Sequence, residues 1–245
     1  MTPSSMGYRL IYAFNVLLIC LPMLASNALV ATYYSSEGRA AYMKKTTLKN
    51  INILSGTVYG YEQSAVLVGR SEYTTITGCN VYGSVCGHTL IGAISGSSVN
   101  ETITNCYSKT NISVTGGVAG MFGLAKASTI SSCGFEGTSN DRLFIGSAEN
   151  GVTTVTDCFA NSSSNVGFAT GLVTITNSLY ISNNTSSSPA KKYYSGTFTN
   201  WVIPPWVEST TTNRTPLPAG LSWLASGGVK VTGLSQITAL GYSAV

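Results

Sequence analysis

The sequence predicts an all-β chain folded as a right-handed parallel β-helix (solenoid) of about 6–7 coils, with irregular caps at its ends. The first observation is a recurring string in which a Thr, an aliphatic residue and a Thr or Ser are followed by a spacer and a Cys. The second is an apolar string ending in Gly that precedes each copy. The third is composition: 9% of the residues are charged, and Gly, Ser, Thr, Asn and Tyr fill the polar positions. This mixture suits strands and tight turns better than helices.

The segment 1–28 has the layout of a secretory signal peptide. An Arg is followed by an apolar run of about fifteen residues, and Ser26 and Ala28 then occupy the small-residue positions of a cleavage site. The alternative is an uncleaved N-terminal anchor, and the chain would then meet a membrane only through this segment. Both interpretations predict a protein that is secreted or displayed at the cell surface.

The other boundaries follow from where the repeated strings begin and end. We assign 29–46 to an N-terminal cap, 47–182 to the parallel β-helix repeats, and 183–245 to a linker and a C-terminal cap rich in Trp and Pro. The stretch NNTSSSPAKK at 183–192 is typical of a solvated linker. We expect Trp201, Trp206 and Trp223 to cover the last coil, because the strand edges at the end of a stack need protection.

The repeated string has the period-two alternation of a strand. Its aliphatic residue stands between two Thr or Ser residues and therefore points to the opposite face. The Cys or Ser positions after successive strings lie 27, 27, 25 and 20 residues apart, and coils stacked at about 4.8 Å place like side chains on like. A degenerate earlier coil is predicted over 48–60, with Ile51 at the Cys place. The predicted structural ladder consists of Ile76, Cys79, Ile103, Cys106, Ile130, Cys133, Val155, Cys158, Ile175 and Ser178.

The second string, of small aliphatic residues ending in Gly, lies ten to fourteen residues before each Cys or Ser. Glycine fits a bend that needs a positive φ or a close approach of two backbones. We therefore expect these glycines to share one column, followed by a loop of variable length. The column consists of Gly69, Gly92, Gly120, Gly146 and Gly167.

The Cys column is predicted to be structural. Cys is a small apolar residue that can fill an inward position, and Ser178 replaces it where the column is less covered. Five Cys residues remain after the signal segment, and their spacing does not resemble that of zinc ligands. We expect mostly reduced thiols, with a bridge between neighbouring rungs, or between Cys86 and Cys106, as the alternative.

These strings resemble a known repeat. The "LVG" at 67–69 and the "LIG" at 90–92, with "ITNC" at 103–106 following the latter, are similar to the GLUG repeat of secreted and surface β-helix proteins. The resemblance covers roughly 50–182, and the tail TNWVIPPW…PLPAGLSW is similar to the segment that often closes such arrays. Members of that family are mostly uncharacterised surface or adhesin-like proteins. The resemblance therefore implies a location and an architecture rather than an activity.

The Thr and Ser residues beside the aliphatic ladder form the candidate binding face. Stacked coils would arrange them in two parallel stripes, which resemble the flat face of some antifreeze proteins. The simpler interpretation is that Thr suits exposed strands, where its hydroxyl and methyl groups stack well. The candidate face consists of Thr75, Thr77, Thr102, Thr104, Thr129, Ser131, Thr154, Thr156, Thr174 and Thr176.

The residues that catalysis would need are scattered along the chain. The single histidine, His88, is expected on a loop and in a surface or turn role. β-Helix enzymes that cleave carbohydrates group acids on one strand face, whereas the acids here share no column. We predict no enzyme activity, metal or cofactor. The net charge of +4 and the scattered basic residues also argue against nucleic-acid binding.

The sequence thus predicts a structural or adhesive solenoid that binds a glycan, an extracellular-matrix component or another surface protein, including a like chain. A carbohydrate-active enzyme would need an acidic groove, and an ice-binding protein would need a flat, regular Thr face; both remain alternatives. Secretion would make Asn-x-Ser/Thr sequences candidates for N-glycosylation. They occur at Asn100, Asn111, Asn161, Asn183, Asn184 and Asn213.

Overall fold

The structure, a computed structural model, describes residues 28–34, 42–182, 190–203, 215–224 and 228–245. It confirms the all-β prediction, because parallel strands wind into a β-solenoid of about 5 turns. The predicted signal segment lies outside the described residues up to position 27. Within the described ranges, no helix combines the length and the apolar composition needed to cross a membrane.

The solenoid is built from seventeen strands, most of them short. They are β1 (Ala28–Tyr34), β2 (Tyr42–Lys44), β3 (Thr47–Lys49), β4 (Asn52–Ala65), β5 (Val68–Glu72), β6 (Thr75–Thr77), β7 (Asn80–Val99), β8 (Thr102–Thr104), β9 (Tyr107–Val114), β10 (Ala119–Lys126), β11 (Thr129–Ser131), β12 (Gly134–Glu136), β13 (Thr138–Ser139), β14 (Arg142–Thr156), β15 (Phe159–Ser162), β16 (Gly167–Thr176) and β17 (Leu179–Ser182).

The strands stack in three rows. The first row is β3, β6, β8, β11 and the ends of β14 and β16. The second row is β1, β4, the first half of β7, β9, β12 with β13, β15 and β17. The third row is β2, β5, the second half of β7, β10 and the first parts of β14 and β16. A typical coil contributes one segment to each row, so equivalent positions of successive coils pair directly.

Residues in the left-handed conformation turn the chain at the corners beside the first row. The φ angle is 54° at Asn105 on one side and 52° at Tyr73 on the other. Asn, Asp and Gly tolerate this conformation best, which explains the turn formers before the Cys column. At Gly78, with φ of 65°, a Cβ atom would also lie 2.4 Å from Oδ1 of Asn50. Glycine meets both conditions at this corner without strain, whereas Asn105 occupies the equivalent corner of the next coil.

Apolar side chains fill most of the interior, and an aromatic stack runs through the later coils. The ring of Phe144 lies between those of Phe122 and Phe168, at centroid distances of 5.6 and 4.8 Å. The rings of Phe144 and Phe168 are nearly parallel, with an interplanar angle of 7°. Tyr180 and Tyr194 pack against Phe168 in turn. The stack links the third row to the last coil, so its burial stabilises several coils together.

The predicted single column of glycines is wrong, because the bend holds two glycine columns. Gly120 pairs with Gly92. Gly69 lies instead against Gly96: a Cβ atom on Gly96 would approach the carbonyl oxygen of Gly69 to 2.7 Å, and one on Gly123 would approach that of Gly96 to 2.7 Å. Such close backbone contact excludes any side chain. The remaining members are Gly146, which belongs with Gly123, and Gly167, which lies opposite Arg142.

The stretch assigned to an N-terminal cap, 29–46, contains two strands of the stack. β1 pairs in parallel with β4, from Ala28 opposite Asn52 to Tyr34 opposite Tyr59, and β2 pairs in parallel with β5. The register of β3 on β6 also places Ile51 at the level of Cys79. This part of the chain therefore winds in register with the repeats.

The C-terminal segment adds two strands to the second row and forms a small sheet of its own. β18 (Ala190–Tyr193) pairs antiparallel with β17, and β22 (Ser243–Ala244) pairs with β18. A separate sheet contains β19 (Trp201–Ile203), β20 (Leu217–Pro218) and β21 (Val229–Lys230). A 3-10 helix spans Ala219–Leu224, and α1 spans Leu234–Ala239.

The C-terminal segment covers the flank of the solenoid as well as its end. Trp201 is 1% exposed, in an apolar cluster that includes Phe159 and Leu179 from the second row. The cluster reaches back to Tyr107, which lies three rungs before β17. The ring of Tyr107 contacts that of Trp223 edge-on, with centroids 6.0 Å apart. Trp206 lies outside the described residues. The cover therefore extends much further along the solenoid than the last coil.

Candidate binding faces

The predicted Thr face lies on the outer side of the first row. Its hydroxyl residues form two parallel lines. Successive residues within one line are about 4.8 Å apart, the distance between rungs, and the two lines are about 7 Å apart, the length of two residues along a strand. Thr47 and Lys49 extend the lines by one rung at the N-terminal end. One line consists of Thr75, Thr102, Thr129, Thr154 and Thr174, and the other of Thr77, Thr104, Ser131, Thr156 and Thr176.

The two lines differ in exposure. Thr102, Thr129 and Thr174 are exposed, whereas the second line is half-buried throughout. The Thr104 hydroxyl donates to Oγ1 of Thr77 at 2.9 Å, so hydroxyls of the second line can bond to one another along the stack. The face thus offers hydroxyl and methyl groups, repeated in two directions, to a flat partner.

The aliphatic ladder behind this face is buried except at its last member. Ile76, Ile103, Ile130 and Val155 have no exposed surface, whereas Ile175 is half-buried. Ile175 lies on β16, which is the last strand of the first row among the residues that the structure describes. The Thr face is therefore supported by a continuous apolar ladder over most of its length.

The Cys column has a hydrogen-bonding role as well as a packing role. The Cys133 thiol donates to the carbonyl oxygen of Ser131, two residues earlier, at 3.2 Å, and the same bond recurs at the other three Cys positions. The Ser178 hydroxyl makes the equivalent bond to the carbonyl of Thr176 at 2.8 Å. Ser can replace Cys in the last coil because it keeps this donor.

The thiols of the column are buried, and their surroundings raise the pKa values of Cys79 and Cys133. All five Cys residues of the described chain are free, and only Cys86, outside the column, is not buried. The neighbouring Cys106 thiol, together with burial, raises the pKa of Cys79, and burial raises the pKa of Cys133 well above its usual range. Because the thiolate is the nucleophile and the metal ligand, protonated thiols here have a structural role.

Replacing Cys133 with Val is expected to cost about 1 kcal/mol more in free energy of unfolding than replacing it with Ser. The carbonyl oxygen of Ser131 also accepts from the Asn105 amide at 3.2 Å, so Ser keeps a second donor to it, whereas Val removes this second hydrogen bond. Urea unfolding of the two variants measures the difference. Equal costs, or a more stable Val variant, would contradict the hydrogen-bonding role of the column.

The opposite corner of the first row contains a buried acid. There Thr74 and Ser128 donate their hydroxyls to carbonyl oxygens two residues earlier, at 3.2 and 3.0 Å. Glu101 occupies the same place in the coil between them and is 2% exposed; neither carboxylate oxygen has a hydrogen bond of acceptable geometry within the described chain. Burial raises the pKa of Glu101 to about 7, and the nearby hydroxyls of Ser71 and Ser98 lower it only in part. The interior thus holds this carboxyl group as a neutral acid up to about that pH.

The acids that a catalytic groove would use have separate structural partners. Glu72 forms ion pairs with Arg70 and Lys44. Asp141 accepts a hydrogen bond from the amide of Ala119 at 2.9 Å. In the described ranges, no three His, Cys, Asp or Glu side chains lie close enough to hold a metal ion.

The outer side of the second row carries an aromatic group that sequence reasoning missed. The prediction that His88 lies on a loop is wrong, because it belongs to β7. Its ring stacks on that of Tyr61, with centroids 4.8 Å apart and an interplanar angle of 20°. Tyr61 is 59% exposed, and Tyr59, two residues earlier on β4, is 44% exposed. The alternation of Tyr59, Gly60 and Tyr61 is the period-two signal that could have placed both rings outward.

Two of the possible glycosylation sites are exposed. Asn100 lies at a left-handed corner and Asn111 on β9. Asn161 is half-buried, and its side-chain amide donates to Oγ1 of Thr215 in the C-terminal segment at 2.9 Å. The remaining sites, Asn183, Asn184 and Asn213, lie outside the described residues.

The fold and these faces define a class of protein, a parallel β-solenoid with a repetitive, hydroxyl-bearing outer face. No protein-family model, curated protein or solved structure matches the chain. Because a solenoid fold by itself hosts many functions, the function has to be argued from the faces.

Proposed function

We propose that the chain is a non-catalytic structural and adhesive solenoid whose Thr face binds a glycan, an extracellular-matrix component or like chains. The observation that carries the proposal is the register of the two hydroxyl lines across successive rungs. A face that repeats with the coil suits a partner that also repeats, such as a polysaccharide or a fibre. Weak, equivalent contacts made together give an avidity that none has alone.

The proposal includes a location and finer features of the fold. The chain is secreted or displayed at the cell surface through its segment 1–28, and exposed sites such as Asn100 carry glycans. Its coils wind right-handed, number about 6–7, and belong to the GLUG-like repeats that they resemble. Low charge, abundant Thr and Asn, and a continuous apolar ladder support this assignment.

A bulky residue on the Thr face tests the proposal. Thr129 is exposed in the middle rungs, so Thr129→Tyr should prevent a flat partner from approaching, whereas Thr199→Tyr, at an exposed residue outside the rows, should not. The purified chain and both variants are applied to immobilised cellulose, chitin, collagen and fibronectin, and self-association is measured by sedimentation. We expect at least one interaction of the parent chain to be lost in Thr129→Tyr alone. Interactions that survive in Thr129→Tyr would exclude the Thr face as the binding surface.

Ice binding is the second candidate, and the regular two-dimensional spacing of the hydroxyl and methyl groups favours it. It makes a different prediction for the same variants. Thermal hysteresis measured on the parent chain would be present and would disappear in Thr129→Tyr but not in Thr199→Tyr. Freezing behaviour equal to that of a buffer with the same osmolality would reject this candidate and leave adhesion untouched.

A further inference from the structure

We infer that a second site, on the outer side of the second row, binds a neutral carbohydrate by stacking a pyranose ring on Tyr61. The site, which we call the aromatic block, consists of the outward positions of 57–61 on β4, 84–88 on β7 and 111–115 on and after β9. It lies on a different face from the Thr lines. The inference rests on the proposed adhesive function, because glycans are among the partners proposed there. The aromatic block specifies a class of glycan and the residues that would contact it.

Strand pairing in the solenoid fixes the positions of the aromatic rings of the block. The inward neighbours Val58 and Val85 pair with each other and are buried, which fixes the outward direction of the residues beside them. The paired strands place Tyr61 beside His88, and their rings stack. On the far side of His88, a Cβ atom on Gly116 would come within 2.5 Å of the imidazole ring. The glycine thus lets the imidazole rest against the backbone and support Tyr61.

The ring of Tyr61 is presented to solvent at the end of this short stack. Although Tyr61 belongs to a paired strand and its ring stacks on that of His88, 59% of the residue is exposed. The exposed Tyr61 is the residue on which the flat surface of a ligand would stack.

Polar groups beside the rings match the edge of a sugar. The Ser84 hydroxyl donates to Oγ1 of Thr57 at 3.2 Å, and Oδ1 of Asn111 accepts from Thr138 at 2.9 Å. These groups pair across adjacent rungs and form a row beside Tyr59. Hydroxyl and amide groups both donate and accept, as sugar hydroxyls require.

The charge of the block selects the kind of ligand. Its outward positions include no Asp, Glu, Lys or Arg. Acidic polysaccharides and nucleic acids need cationic side chains, so the block is complementary to an uncharged partner. A pyranose whose substituents are equatorial has a flat C–H surface for the ring of Tyr61. The polar row lies four residues, about 13 Å, away along the strand, so it meets the hydroxyl edge of another unit of the same polysaccharide. A β-linked glucan meets both requirements.

Calorimetric titration of the full chain with cellohexaose tests the inference. We expect binding that Tyr61→Ala weakens by about tenfold or more, which is about 1.4 kcal/mol or more, because both the stacking contact and the area it buries are lost. Tyr61→Phe keeps the ring and should bind like the parent chain. Tyr73→Ala is the matched control, since Tyr73 is 54% exposed at a corner outside the block. Circular dichroism of each variant confirms that the solenoid is folded.

The outcomes separate the two proposals. Absence of cellohexaose binding by the parent chain, or equal binding by Tyr61→Ala, overturns the aromatic block. If Thr129→Tyr still abolishes adhesion in that case, the Thr face stands alone. Loss of self-association in Tyr61→Ala with unchanged cellohexaose binding would assign the ring to a contact between copies and would also overturn the inference.

Discussion

Replacing Phe144 with Ala is expected to lower the free energy of unfolding by about 3–5 kcal/mol, the usual cost of removing a buried Phe. Phe144 has no exposed surface, and its ring lies between those of Phe122 and Phe168. Removal leaves a cavity that both neighbouring rings line, and the paired third-row strands resist closing it. Denaturation with urea, followed by circular dichroism, gives the free energy directly.

Leu172→Ala is the matched control for this variant. Leu172 is 53% exposed on β16, in the coil that follows Phe144. Its replacement deletes an apolar side chain that is exposed to solvent and leaves the interior unchanged. We therefore expect the free energy of unfolding to change by about 0.5 kcal/mol or less. A Phe144→Ala variant that behaves like Leu172→Ala would mean that the aromatic stack does not hold adjacent coils together.

The first-row register could be predicted because the chain there has constant length. Each strand of three residues lies between two left-handed corners, so Ile76, Ile103 and Ile130 have the same distance in sequence to their Cys. The alternation of aliphatic and hydroxyl residues then fixes which side chain faces inward. At these positions the local strand preference and the pairing between coils favour the same structure. A fold can be predicted from sequence where local and long-range preferences agree in this way.

The glycine columns could not be predicted in the same way. The third-row segments contain two glycines within a few residues, as at Gly92 and Gly96, and an alignment by motif cannot decide which pair across the stack. The decision comes from backbone contacts between coils, because Gly96 lies against the carbonyl of Gly69. The reach of the C-terminal segment to Tyr107 is likewise set by tertiary packing, for which a single sequence has no periodic signal.

The buried position of Glu101 could be predicted from the sequence only in part. It immediately precedes a Thr-Ile-Thr strand, in the place that Thr74 and Ser128 occupy in the neighbouring coils. Period-two alternation from the inward Ile103 also assigns it to the interior. A charged side chain favours an exposed position, whereas the position of Glu101 in the repeat places it in the interior. Such a conflict between levels marks a residue whose removal should change the protein measurably.

Replacing Glu101 with Gln is therefore expected to stabilise the protein by about 3 kcal/mol at pH 8, from a pKa difference of about 2.5 units. In the unfolded chain this carboxyl group ionises near its model value of 4.5, whereas in the solenoid its pKa is about 7. The contribution of Glu101 to stability is consequently fully present below pH 4.5, is lost as the pH rises towards 7, and changes little above that. Gln stays neutral at every pH, so the variant should lack this part of the slope.

Urea unfolding of the parent chain and the variant at several values between pH 4 and pH 8 measures both effects. Glu149→Gln is the control, because Glu149 is exposed on β14 and its replacement removes the same charge from the surface. We expect the two chains that retain Glu101 to lose stability together as the pH rises, and Glu101→Gln to separate from them progressively. A Glu101→Gln variant that loses stability as steeply as the parent chain would show that the solenoid does not hold this carboxyl group in a buried, protonated state. The buried acid would then have to be ionised and compensated, and the interior beside the first row would be wetter than its packing indicates.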